Sequence, residues 1–136
     1  MSSDSKHQSA GAIIKDDLGR ILMINRTNFP FGWAIPAGHV DTGETPEQAV
    51  IRETKEEVNL NIIKMRLVGQ EFLSWNKCSR GTTGHEFSIF EVLSWQGKIK
   101  GEADEMNDWR WIKKNKLPKI KIEEATEYWF KKLGYL

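Results

Sequence analysis

A layered α/β domain with a mixed sheet is the fold class this sequence predicts, and three observations carry the prediction. Short apolar runs with strand-like alternation occur on both sides of the middle of the chain. A central segment carries complete helix start and stop signals, and the last segment holds apolar residues at helical spacing. With 136 residues, 39% hydrophobic and 29% charged, the chain suits one domain with its own core and is unlike a disordered polymer. A formal net charge of +1 argues neither for a nucleic-acid footprint nor for an anionic-membrane binder. Cys78 is the sole cysteine, so no disulfide forms within the chain, which suits a reducing, cytoplasmic setting. No apolar run reaches the roughly 18 residues of a membrane span, and the opening MSSDSKHQS lacks the apolar core of a signal peptide.

Residues 1–8 read as a polar tail and 9–136 as the domain. Ala10 to Lys15 is an apolar run that reads as a strand, and the turn Asp16-Asp17-Leu18-Gly19 leads to a hairpin partner at Ile21 to Asn25. Thr27 to Trp33 is an aromatic loop, and Pro36 and Gly38 keep Ile35 to Val40 irregular or very short. Asn61 to Trp75 alternates as one long or two broken strands and pairs with His85 to Trp95 across a polar loop. Trp109 to Ile112 forms a short strand, Lys113 to Lys121 a basic solvated loop, and Ile122 to Leu133 a terminal amphipathic helix.

The central helix is the best-signed element. Thr45 is its N-cap, Pro46 its first residue, and Gln48 completes a capping box. Asn59 suits the left-handed position that ends it. Val50, Ile51, Thr54 and Val58 would face a core, and the methyl of Thr54 would pack there while its hydroxyl returns to the preceding turn. Glu53, Glu56 and Glu57 project from the other side within an arc of about 100°. At about 6 Å and an effective dielectric near 20, each pair repels by roughly 3 kcal/mol. Crowded carboxylate oxygens suit a hard divalent ion, Mg²⁺ or Mn²⁺. A solvated acidic face is the commoner meaning of a Glu-rich helix, so the residues around it must decide.

They form a pattern: Gly38, five residues, Glu44, seven residues, Arg52-Glu53, then Thr-Lys-Glu56-Glu57-Val-Asn-Leu. This resembles the signature box of the Nudix hydrolase family, MutT-like members included, which cleave nucleoside diphosphates linked to another group. Two positions depart, Thr54 for an aliphatic residue and Asn59 for a glycine, and neither belongs to the acidic stripe. Trp33 to Gly38 is similar to the family's approach to the box, with Ala37 replacing one glycine. The resemblance implies a Nudix-type α/β/α sandwich with a mixed β-sheet, a catalytic helix after the glycine loop, and a C-terminal helix. It also implies Mg²⁺-dependent hydrolysis of a pyrophosphate bond, with a nucleoside triphosphate slightly ahead of ADP-ribose or a nucleotide sugar. A catalytically weak nucleotide sensor is the alternative from another class.

On that resemblance Glu53 is the expected general base and a metal ligand, with Glu56, Glu57 and the Gly38 carbonyl completing the metal set. Arg52 would orient a carboxylate of its helix, against the plainer reading of a surface pair with Glu56. Glu44 would support the loop or an outer metal. Glu105 is the expected carboxylate from a later loop, with Glu102 and Asp108 as competitors. A nucleotide needs a cation for its phosphates, for which Arg26 is the candidate, and a π-face for its base. Trp33 and Trp111, with Phe31 and Trp75, are the stacking candidates, although core packing is the better prior for any one tryptophan. Glu123-Glu124 resembles the acidic purine-reading pair of the branch that hydrolyses oxidised purine triphosphates, whereas Ala34 stands where that branch has an asparagine. The partner expected is a nucleotide, with neither membrane nor nucleic acid, and homodimerisation is left open.

Overall fold

The computed structural model describes residues 8–77, 83–99 and 108–136, without side chains for 76–85. Its strands are β1 (Gln8–Ile13), β2 (Ile21–Arg26), β3 (Gly32–Ala34), β4 (Ala37–His39), β5 (Leu60–Lys77), β6 (Thr83–Gly97) and β7 (Asp108–Ile112), and its helices are α1 (Pro46–Val58) and α2 (Glu124–Leu133). The first strand begins at Gln8, one residue inside the expected tail. Two sheets form where one was expected: a mixed sheet ordered β4-β1-β6-β5 and an antiparallel sheet ordered β3-β2-β7.

The split corrects the expected β1–β2 hairpin. The turn itself closes, with the Leu22 N–H donating to the Ile14 carbonyl at 2.9 Å and Gly19 at φ +78°. Beyond it the strands part, because β1 already has β4 on one edge and runs parallel to β6 on the other. With no edge left, β2 pairs instead with β3 and β7. The expected pairing of the two long strands does form, as β5 against β6, and bulges keep β5 continuous where a break was conceivable.

Alternation along the strands divides the interior into two cores. Ala10, Ala12 and Ile14 of the first segment, with Leu22 and Ile24 of β2, pack toward Ala49, Val50 and Val58 of α1. Ile13, Ile21 and Met23 point the other way, into a core with Trp129 and Phe130 of α2. The sheets therefore lie between two helices, the α/β/α sandwich. Lys114–Lys119, expected as loop, winds into a 3₁₀ turn that buries Leu117 and leaves its lysines exposed.

Helix α1 begins and ends as its sequence signals dictate. The Thr45 hydroxyl accepts from the Gln48 N–H, and the Gln48 side chain accepts from the Thr45 N–H. At the other end Asn59 adopts φ 61° and its N–H donates to Lys55. Two details of its core face differ from expectation. Ile51 is 41% exposed and Ala49 takes its place in the core. Thr54 is fully buried, yet its hydroxyl meets no partner, in the preceding turn or elsewhere.

Candidate active site

The α1 caps aim one side of the helix at the loop before it. There the Glu53 carboxylate occupies the space a Cβ at position 38 would take, so any larger residue would have to push it out of this position. Glu57 reaches the same loop, where one of its oxygens accepts from the Ala37 N–H at 3.1 Å. A cavity of about 580 Å³ opens beside them. Glu53, Glu56 and Glu57 make up its acidic wall, Ile24, Ala34 and Ile35 its apolar floor, and Arg26, Thr27 and Asn28 the rest of its lining, with the Arg26 charge acting on Glu57.

Arg52 joins this wall to the loop. Its Nε and Nη2 donate to the two oxygens of Glu44 at 2.7 and 3.0 Å, and Nη2 also donates to the His39 carbonyl at 3.0 Å. Its Nη1 donates to Glu53 at 2.9 Å and to Glu56 at 3.2 Å. The surface pair with Glu56 exists but is one of several bonds, and the planar fork on Glu44 is the best formed. Those Arg52 hydrogen bonds, then the Asp41 N–H, bring the Glu44 carboxyl down to about 2.

The inner carboxyls shift the other way. Burial pushes Glu53 up, and the charges of Glu56 and Asp41 add to this against the opposing pull of Arg52. Burial, then the neighbouring Glu53, raises Glu57 to about 8. Two carboxyls held above their ordinary range, first by burial and then by neighbouring charge, mark a place where a dication would stabilise the ionised forms. Glu53, Glu56 and Glu57 thus suit a hard cation in donor type, with the Gly38 carbonyl in the adjoining loop. Among the described residues no three carboxylates, histidines or cysteines already converge as a finished metal cage.

Other expected residues fall elsewhere. Arg26 lines the cavity, and its Nε donates to the Pro30 carbonyl at 2.7 Å. Trp33 is not among the lining residues; its ring packs on the α2 side, with Arg110 over it at 5.8 Å. Trp111 is likewise absent from the lining, stacked on Trp95 at 5.8 Å against the α1-side core. Trp75 packs on Tyr128 at 5.5 Å. Glu123, expected beside a purine, is buried as the α2 N-cap, where its carboxylate accepts from Ala125, Thr126 and the Thr126 hydroxyl. Glu124 is exposed and does not line the cavity. Asp108 pairs with Arg110 at 3.1 Å, while Glu105, Glu102 and Cys78 lie outside the described residues. Sequence reasoning passed over Thr27, Asn28 and Ile35, which line the cavity but belong to no spacing pattern.

The family model for the NUDIX domain matches residues 5–133. The chain belongs to the NUDIX family. An ADP-ribose pyrophosphatase from Methanocaldococcus jannaschii is 36% identical over 115 residues, covering 83% of this chain and 64% of the relative. A dihydroneopterin triphosphate diphosphatase from Escherichia coli is 37% identical over 81 residues, 60% of this chain and 48% of the relative. The NUDIX chain thus spans between about half and two thirds of the length of these relatives. Among solved structures, a MutT NUDIX hydrolase from Burkholderia pseudomallei superposes with a TM-score of 0.77 at 27% identity, covering 90% of this chain and 93% of that one. The split sheet flanked by two helices is therefore a NUDIX fold, and no helix among the described residues is long and apolar enough to cross a membrane.

Proposed function

We propose that this NUDIX domain hydrolyses the pyrophosphate bond of a nucleoside diphosphate derivative, with Mg²⁺ (Mn²⁺ as substitute), in a cytoplasmic setting. The observation that carries the reading is the wall of Glu53, Glu56 and Glu57, braced by Arg52, sharing one cavity with Arg26. A bound dication stabilises charge on phosphoryl oxygens and lowers the pKa of a bound water. Glu56, Glu57 and the Gly38 carbonyl are the residues to hold it, with Glu105 as a further carboxylate. Glu53, raised by burial, is the residue we assign to take the proton from the attacking water. As water oxygen bonds to phosphorus, the bridging P–O bond breaks and its electron pair leaves with the departing phosphate. Arg52 and Glu44 act as positioning residues, holding Glu53 and the glycine loop in register. Arg26 offers a fork for a phosphate.

Ile24, Ala34 and Ile35 give the lining one small apolar patch, and on that ground the reading puts a nucleoside triphosphate slightly ahead of ADP-ribose or a nucleotide sugar. The two relatives named for an ADP-ribose and a triphosphate substrate keep both in the assay. A panel of nucleotides with product identification tests the reading. Hydrolysis with release of a nucleoside monophosphate supports it, and Glu53→Gln lowers kcat by about 10² to 10⁴ while the fold persists. Near wild-type turnover by that variant at saturating Mg²⁺ would remove Glu53 from the role of base. Nucleotide binding with no product from any substrate would mark the domain as a sensor.

A further inference from the structure

The cavity has an apolar floor, an acidic wall and a cation, but its described lining contains no aromatic ring. The register of the antiparallel sheet supplies one at its border. Ile24, which forms part of the floor, stands directly opposite Trp109 on β7, and on its other side opposite Ala34, also part of the floor. Residues opposite one another on antiparallel strands project to the same face with Cβ atoms about 5 Å apart. Trp109 therefore rises from the face that bears the cavity, next to the floor, and it stays 37% exposed.

The other tryptophans near this sheet are committed elsewhere. Trp111 shares the face of Trp109 but stacks on Trp95 against the core. Trp33 stands opposite Asn25, one step out of phase with Ile24, and packs toward α2. Arg26 follows Ile24 by two residues on β2, about 7 Å along the strand. A ring lying over Ile24 and against Trp109 would thus have Arg26 and the acidic wall within the reach of the phosphates attached to it.

We propose that Trp109 is the stacking surface for the substrate's ring and so sets the preference of this site for a ligand with a planar heterocycle. The inference deepens the function proposed above and rests on it for the identity of the cavity. It divides the pocket into a ring end at the β2–β7 border and a phosphate end between Arg26 and α1.

Binding measurements separate the ring end from the phosphate end without relying on turnover. Wild type, Trp109→Ala and Trp109→Phe are titrated in the presence of Mg²⁺ with a non-hydrolysable ATP analogue and with inorganic tripolyphosphate. The expected result is a loss of about tenfold in affinity of Trp109→Ala for the nucleotide, retention of most of it in Trp109→Phe, and tripolyphosphate binding unchanged within about twofold. Equal losses for both ligands, or an unchanged nucleotide affinity in Trp109→Ala, overturn the assignment. Should the alanine variant fail to fold, Trp109→Leu, apolar but without a π-face, takes its place against Trp109→Phe. Wild-type binding that follows this pattern without any hydrolysis would defeat the hydrolase reading and leave Trp109 as the ring contact. Turnover with no dependence on Trp109 would do the reverse.

Discussion

Glu57 occupies a position where a carboxylate is costly unless something compensates its charge. Its half-buried carboxyl lines the cavity beside Glu53, and burial with that neighbouring charge raises it from the usual 4.5 to about 8. Below about pH 4.5 it is protonated whether the chain is folded or not, and its contribution to stability is fully present. As pH rises through about 8 that contribution is lost, since the unfolded chain sheds the proton first. The metal-free domain is therefore expected to lose thermal stability between these pH values, and Mg²⁺, which must displace the proton, to bind more tightly across the same window. Titration at pH 6 and pH 8 checks this: affinity gains up to about tenfold per pH unit in wild type and loses that dependence in Glu57→Gln. Equal affinity at both pH values would contradict it.

Thr54 shows a different cost at the same scale. Its hydroxyl is buried in the α1 core without a partner, so a methyl of the same shape removes an unsatisfied polar group. Thr54→Val is expected to stabilise the domain by about 1 kcal/mol, read as a higher denaturation midpoint, with kcat unaltered because the side chain faces away from the acidic wall. A drop in stability would mean that the hydroxyl is satisfied in solution.

At the scale of elements, the site depends on how α1 is clamped and how α2 is seated. The capping box and the Asn59 turn fix both ends of α1, so Glu53 and Glu57 meet the Gly38 loop at a set height. On the opposite side, β5 changes register between Leu67 and Gly69, and there the Trp129 ring of α2 lies where a Gly69 side chain would be. Gly69→Ala drives a methyl into that ring and is expected to destabilise the domain by about 1–3 kcal/mol. Because the two residues share one space, Gly69→Ala combined with Trp129→Phe should cost less than the sum of the two single changes in a denaturation cycle. Strict additivity would show that the ring moves aside freely.

Across the whole molecule, the sandwich places its chemistry on one side of the sheets. The α1-side core holds the acidic helix against β1, β4 and β5, while α2 packs on the other core and meets the cavity lining where the Thr126 hydroxyl accepts from the Ile35 N–H at 3.4 Å. Pairing decides this division. Because β1 is paired on both edges, β2 joins a separate sheet with β3 and β7 and carries Ile24 and Arg26 to the cavity.

What the sequence determined by itself is local. The helix from Pro46 to Val58 with both caps, the stripe of Glu53, Glu56 and Glu57, the long β5–β6 pair and the terminal helix are all legible from periodicity, caps and turn residues, because neighbours along the chain set them. Tertiary structure alone decided which strand β2 would join, that the Glu53 carboxylate would fill the space beside Gly38, and that Arg52 would grip Glu44 and the His39 carbonyl across the loop. It also turned Trp33 and Trp111 into packing residues, drew Glu123 into the α2 cap, and left Trp109 at the border of the floor. Spacing along a chain gives the face of an element, whereas the neighbour across that face comes from residues far away in sequence.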